Sequence, residues 1–124
     1  MGMWYSRPML HVADVEAAVA FYVDRMGFRE AWSFADDAGR KFVSQVDRDD
    51  AEIILCSQWP GKVGKGMLFI ELTAPDWQAL PAALESKDVA FTRGWWGYRT
   101  LIVADPDGNE LYFPDPEDPG GGSD

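Results

Sequence analysis

At 124 residues, 47% hydrophobic and 26% charged, the chain has the length and composition of one globular domain that buries a core without disulfides or metals. Its formal net charge of 11 − 21 = −10 argues against nucleic acid and anionic membrane surfaces as partners, and no apolar run nears the ~18 residues of a membrane span. Cys56 is the only cysteine, which excludes an intramolecular disulfide and a four-cysteine zinc site. The N-terminal segment has no basic stretch followed by an apolar one, so a cytoplasmic location is expected.

In chain order, residues 4–12 read as a strand. Asp14 then caps a helix whose apolar positions Val15, Ala18, Val19, Tyr22 and Met26 follow helical spacing, and Gly27 stops it in the left-handed region. Residues 28–46 read as a hairpin turning at Asp36 to Gly39, and Ala51 to Ser57 as a fourth strand. The segment "QWPGKVGKG" (58–66) carries the breakers of a linker. A second module follows, over 67–113. Met67 to Leu72 is a strand, and Asp76 is expected to cap a helix through about Ser86 unless that helix starts near Pro81, where proline suits a first turn. Strands near 90–93, 98–104 and 110–113 complete it. The tail from 115 holds Asp115, Glu117, Asp118 and Asp124 with no basic residue, and is expected to be an acidic disordered segment.

The two halves echo one another. "DRDDAEIIL" (47–55) aligns without a gap on "DPDGNELYF" (105–113) at an offset of 105 − 47 = 58, and "DVEA" (14–17) on "DWQA" (76–79) at 76 − 14 = 62. Both halves run β-α-β-β-β, module one over about 3–57 and module two over 67–113. An α+β fold of two such modules within a single domain over 1–114 is therefore expected.

On "LHVADVEAAVAFYVDRMGF" and "VADPDGNELYFP" the chain resembles the vicinal oxygen chelate superfamily, which includes glyoxalase I, extradiol dioxygenases and bleomycin-resistance proteins. The resemblance spans about residues 5–114. It implies a curved mixed sheet around a cleft, commonly in a homodimer. The enzymes of that family hold a divalent metal with His, Gln or Glu side chains from both modules. The corresponding positions here are Arg7, then Met67 or Phe69, and Tyr112. Arginine cannot ligate, methionine suits hard divalent ions poorly and tyrosine is uncommon, so no metal and no other cofactor is expected.

Alternation puts Arg7, Met9 and His11 on one face of the first strand and Leu10 and Val12 on the helix side. Glu52, Ile54 and Cys56 share a face, as do Glu110 and Tyr112, while Phe69 and Glu71 are expected to face inward. Cys56 has no histidine or basic cluster near it in sequence, which makes it a poor nucleophile. Trp32 shares a strand face with Phe34, and either Trp95 or Trp96 faces the cleft. The resemblance thus implies a metal-free small-molecule binding protein of the bleomycin-resistance type, with no catalytic residues. Its site would use Arg7, Met9, His11, Trp32, Phe69, Glu71, Trp96, Arg99 and Tyr112 to hold a planar aromatic ligand, neutral or cationic. The alternative is a metal-dependent lyase, isomerase or dioxygenase with a displaced ligand set.

Overall fold

Asp14 opens the first helix as its spacing predicts. In the computed structural model, which describes residues 2–95 and 97–118, its side chain accepts hydrogen bonds from the backbone N–H groups of Glu16 and Ala17. Helix α1 (Val15–Ala20) continues as a π-helical turn over Phe21–Arg25, and Gly27, at φ 78°, ends it. The preceding strand is shorter than expected: β1 covers Met9–His11 only, because Pro8 has no N–H with which to extend the ladder. With β2 (Arg29–Ala35), β3 (Lys41–Arg48) and β4 (Ala51–Cys56) it forms a four-stranded sheet in the order β1-β4-β3-β2. β1 runs parallel to β4 and the other neighbours are antiparallel.

Module two repeats this plan. β5 (Met67–Phe69), β6 (Thr92–Trp95), β7 (Arg99–Ala104) and β8 (Glu110–Pro114) form a second sheet in the order β5-β8-β7-β6, with β5 parallel to β8. Between β5 and β6 lies α2 (Ala74–Ser86). It starts neither at Asp76 nor at Pro81. Thr73 is the residue before it, Asp76 lies in its first turn, and Pro81 sits in its interior. Pro81 has no N–H to give the Trp77 carbonyl. The helix persists because Leu80 and Leu84 are buried in the core on either side, and Trp77 Nε1 donates to the Phe113 carbonyl at 2.8 Å.

One hydrophobic core serves both modules. Leu10, Val12, Val15, Tyr22, Val46 and Ile53 pack in the same cluster as Leu84, Leu101, Val103, Leu111 and Phe113. Burying side chains of this size contributes roughly 1.5–3 kcal/mol each. The helix-side face of each sheet is spent on this core, and the opposite faces remain for function.

The turn between β7 and β8 ties the modules together. Asn109, fully buried, donates from Nδ2 to the His11 carbonyl (3.1 Å) and accepts on Oδ1 from Gly66 N (2.8 Å). Asp107 Oδ1 accepts from Ala13 N at 3.0 Å. The Tyr22 hydroxyl donates to Asp105 Oδ2 at 3.0 Å. Burial, then the charge of Asp105 and its hydrogen bond, then the charge of Asp107, push the Tyr22 phenol well above the ordinary tyrosine range. The linker glycines serve the same joint. A Cβ on Gly64 would fall on the Asp107 carbonyl, and one on Gly66 would meet Leu10 and Asn109.

The two acidic turns are not equivalents, although their sequences align. β3 and β4 join by a two-residue turn with Arg48 opposite Ala51, whereas β7 and β8 join across five residues with Ala104 opposite Glu110. Asp47 consequently lies in a strand, and Asp105 in the turn. The tail also begins bound rather than free. Asp115 and Asp118 pair with Arg99 at 3.1 and 3.9 Å, while residues 119–124 lie outside the described residues.

Candidate functional site

The open face of module one is built around Gln45. A bulge between Glu30 and Trp32 puts Trp32 opposite Gln45, with Arg29 opposite Asp47, so all four point away from the core. Gln45 Oε1 accepts from Arg7 Nη1 at 2.6 Å and from Trp32 Nε1 at 3.0 Å. Its Nε2 donates to Asp47 Oδ1 at 2.9 Å and to Glu52 Oε1 at 3.3 Å. Gln45 and Asp47 are only 5% and 7% exposed, so this network is dry enough for its bonds to set geometry. Arg7 is thus committed to Gln45, with its guanidinium over the Tyr5 ring as well. Gln45 and Asp47 were not among the sequence candidates. The signal for them was the alternation of "FVSQVD", which sets Gln45 and Asp47 opposite Val46.

His11 and Cys56 are register neighbours in the parallel β1–β4 pair, a proximity invisible in sequence. The Cys56 thiol is buried and donates to Gln58 Oε1 at 3.6 Å, so it is not presented to solvent. The His11 ring meets Trp59 edge to face at 5.6 Å, and its Nδ1 is buried without a hydrogen-bond partner among the described residues. The His11 carbonyl accepts from Gly64 N and from Asn109 Nδ2, so module two sets where this residue stands. Met9 lies two pairs away, opposite Ile54, and is 43% exposed.

In module two the open face is aromatic. Phe69 and Tyr112 are cross-strand partners whose rings stack with centroids 5.3 Å apart and planes 17° from parallel. The Tyr112 hydroxyl donates to Glu110 Oε1 at 2.8 Å. Phe69 is 40% exposed and Met67, two residues before it, 53%. Glu71 follows β5 as an exposed carboxylate. Arg99 does not join this face. It alternates with Leu101 and Val103 on the core side of β7 and is held by Asp115 and Asp118. Trp96 lies outside the described residues.

The residues at the family's metal-ligand positions do not fit a divalent ion. Arg7 offers only donors, Tyr112 spends its hydroxyl on Glu110, and Met67 is a soft thioether. No three His, Cys, Asp or Glu side chains converge to hold a metal among the described residues.

Residues 4–113 match the family model described as Glyoxalase/Bleomycin resistance protein/Dioxygenase superfamily. Among solved structures, the chain is similar to the bleomycin-binding protein from bleomycin-producing Streptomyces verticillus, complexed with copper(II)-bleomycin. The identity is 27% and the TM-score 0.74, over 94% of this chain and 99% of that one. An antibiotic binding protein from a Streptomyces species matches at 27% identity and a TM-score of 0.71, over 92% and 97%. The lactoylglutathione lyase of Agrobacterium tumefaciens, at 18% identity and a TM-score of 0.66 over 89% and 92%, shares the fold. No curated protein sequence matches the chain.

Proposed function

The chain belongs to the Glyoxalase/Bleomycin resistance protein/Dioxygenase superfamily, and we propose that within it this protein binds a small planar aromatic molecule, neutral or cationic, without a metal ion. The Phe69–Tyr112 stack carries the reading. It puts rings where a metal-dependent member needs a carboxylate, and rings favour flat ligands by stacking. The bleomycin-binding and antibiotic-binding proteins at 27% identity support sequestration over turnover. On module one, the Gln45 network holds Trp32 and Arg7 rigidly, which lowers the entropy lost on binding. Exposed Met9, Phe34, Met67 and Phe69 suit a face covered by a ligand or by a second copy, and a homodimer in the cytoplasm is part of the proposal. No helix among the described residues is long and apolar enough to cross a membrane.

The test is tryptophan fluorescence of the purified protein titrated with cationic, neutral and anionic aromatic compounds, bleomycin among them. Saturable binding of the first two classes, weakened about five- to tenfold by Tyr112→Leu, is expected; that corresponds to the ~1–1.4 kcal/mol of one aromatic contact. Preference for the anionic set, or about one zinc, nickel, iron or manganese ion per chain after dialysis, overturns the reading.

A further inference from the structure

His11 Nδ1 is the one buried side-chain nitrogen or oxygen without a hydrogen-bond partner among the described residues. Buried polar groups are nearly always paired, so an orphan marks a place where a partner is missing. The backbone here cannot drift to find one. Gly64 N at 3.2 Å and Asn109 Nδ2 at 3.1 Å both hold the His11 carbonyl. Cys56, its register neighbour on β4, has a proton to offer, but the thiol is turned to Gln58 Oε1. A neutral imidazole carries one N–H and one acceptor nitrogen. An orphaned buried N–H is rarer than an under-satisfied acceptor, which places the proton on Nε2 and makes Nδ1 the acceptor. What is missing is a donor.

Beside the imidazole stands Trp59, with its ring edge to face at 5.6 Å. It belongs to the linker outside both sheets, just before the short 3-10 turn Pro60–Lys62. Its carbonyl is fixed by Lys62 N at 2.9 Å, while the residue as a whole is 47% exposed. A ring so placed moves without disturbing the core. Lys62 Nζ lies 5.8 Å from the centre of the same ring. A cation already there disfavours a second one beside it, so the donor that suits this corner is neutral.

We propose that His11 Nδ1 accepts a hydrogen bond from a neutral hydroxyl or N–H group on the edge of an aromatic ligand, with Trp59 as its movable cover. The indole swings off the imidazole, and its face then lies on the ligand ring. That presupposes the aromatic ligand proposed above and adds the group its edge must carry.

The chain has one histidine, so proton–nitrogen NMR reads its imidazole without ambiguity. The probes are β-naphthol and its methyl ether, which share a ring system and differ in the donor. β-Naphthol is expected to move the Nδ1 resonance saturably towards that of a hydrogen-bonded acceptor, and to bind about five- to tenfold more tightly than the ether. His11→Phe keeps a ring against Trp59, removes the acceptor and should abolish this preference. His11→Asn, whose Oδ1 stands near the place of Nδ1, should restore part of it. Trp59→Leu should weaken both probes about five- to tenfold and leave the preference intact. An Nδ1 already hydrogen bonded in the free protein, an Nδ1 unmoved by β-naphthol, or equal affinity for the two probes would each overturn the proposal. If His11→Phe fails to fold, the two probes on the wild type decide. Tyr112→Leu keeps the two readings apart. Probe binding lost in that variant, with Nδ1 unmoved in the wild type, sinks the His11 contact alone. A moving Nδ1 with undiminished binding in Tyr112→Leu sustains it and sinks the reading of the Phe69–Tyr112 stack.

Discussion

Module one covers its open face with polar groups bonded to one another, and module two covers its own with rings. Gln45 alone bonds Arg7, Trp32, Asp47 and Glu52, whereas Phe69 and Tyr112 meet by stacking. The same strand order and pairing directions therefore yield one stiff polar wall and one adaptable apolar wall. The turns differ as well: the five-residue turn of module two reaches across to module one through Asp105, Asp107 and Asn109, while the two-residue turn Asp49–Asp50 of module one is closed by the Arg48–Ala51 pairing. One strand plan thus carries two different sets of side chains.

The sharpest way to break this asymmetry is Asn109→Ala. It strips the Gly66 N–H and the His11 carbonyl of their buried partner and takes one donor from Asp105. A loss of about 2–4 kcal/mol in urea unfolding is expected, since buried groups are left unsatisfied. The corresponding change in module one, Ala51→Gly, removes only a methyl group near a strand end and should cost about 1 kcal/mol or less. Equal losses would mean that the seam is not pinned at one end.

A smaller effect is expected on the walls themselves. Gln45→Met keeps the volume but leaves Trp32 Nε1 and Arg7 without their acceptor, at a cost of about 1–3 kcal/mol. Tyr112→Phe keeps the stack with Phe69 and loses only the bond to Glu110, at a cost of about 0.5–1.5 kcal/mol. Comparable urea midpoints for the two variants would erase the distinction between a networked and a stacked wall.

What could be read in the sequence was local. Asp14 caps its own helix, Gly27 ends it, and the Asp36–Gly39 turn closes β2 on β3, because each depends on neighbours a few residues away. The alternation that set Leu10 and Val12 inward held for the same reason. Alternation marks the face of Gln45 but not its partners: Arg7 and Glu52 come from other segments, and Trp32 is set opposite it by the bulge at Ala31, which leaves no mark in polarity alone. Applied to β7, the same alternation rule would have placed Arg99 with Leu101 and Val103, away from the site. Pro81 misled for the opposite reason: local chemistry disfavours it in a helix, and burial of Leu80 and Leu84 prevails. The echo of Asp47 and Asp105 was real as sequence and false as geometry, since a turn longer by three residues moves the second aspartate off the strand.

Asp105 also carries the last and smallest difference between the modules. It accepts the Tyr22 hydroxyl, while Asp47 accepts from Gln45 and pairs with exposed Arg29 at 3.6 Å. In Tyr22→Phe, Asp105 keeps the backbone N–H groups of Asp107 and Asn109 and the Asn109 amide as donors, so only about 1 kcal/mol should be lost at neutral pH. The larger signature lies at alkaline pH. Burial and the nearby aspartates raise the folded phenol above its unfolded value. The neutral phenol therefore contributes its full stability below the ordinary tyrosine value of about 10, and that stability falls as pH rises beyond it, because only the unfolded chain then ionises there. Wild type should lose stability steeply from about pH 10 upward, by as much as ~1.4 kcal/mol per pH unit. The Phe variant should lose less over the same interval, so the two curves converge in urea melts taken between about pH 8 and pH 11. Parallel curves would show that the Tyr22–Asp105 contact is not the alkaline weak point of the joint between the modules.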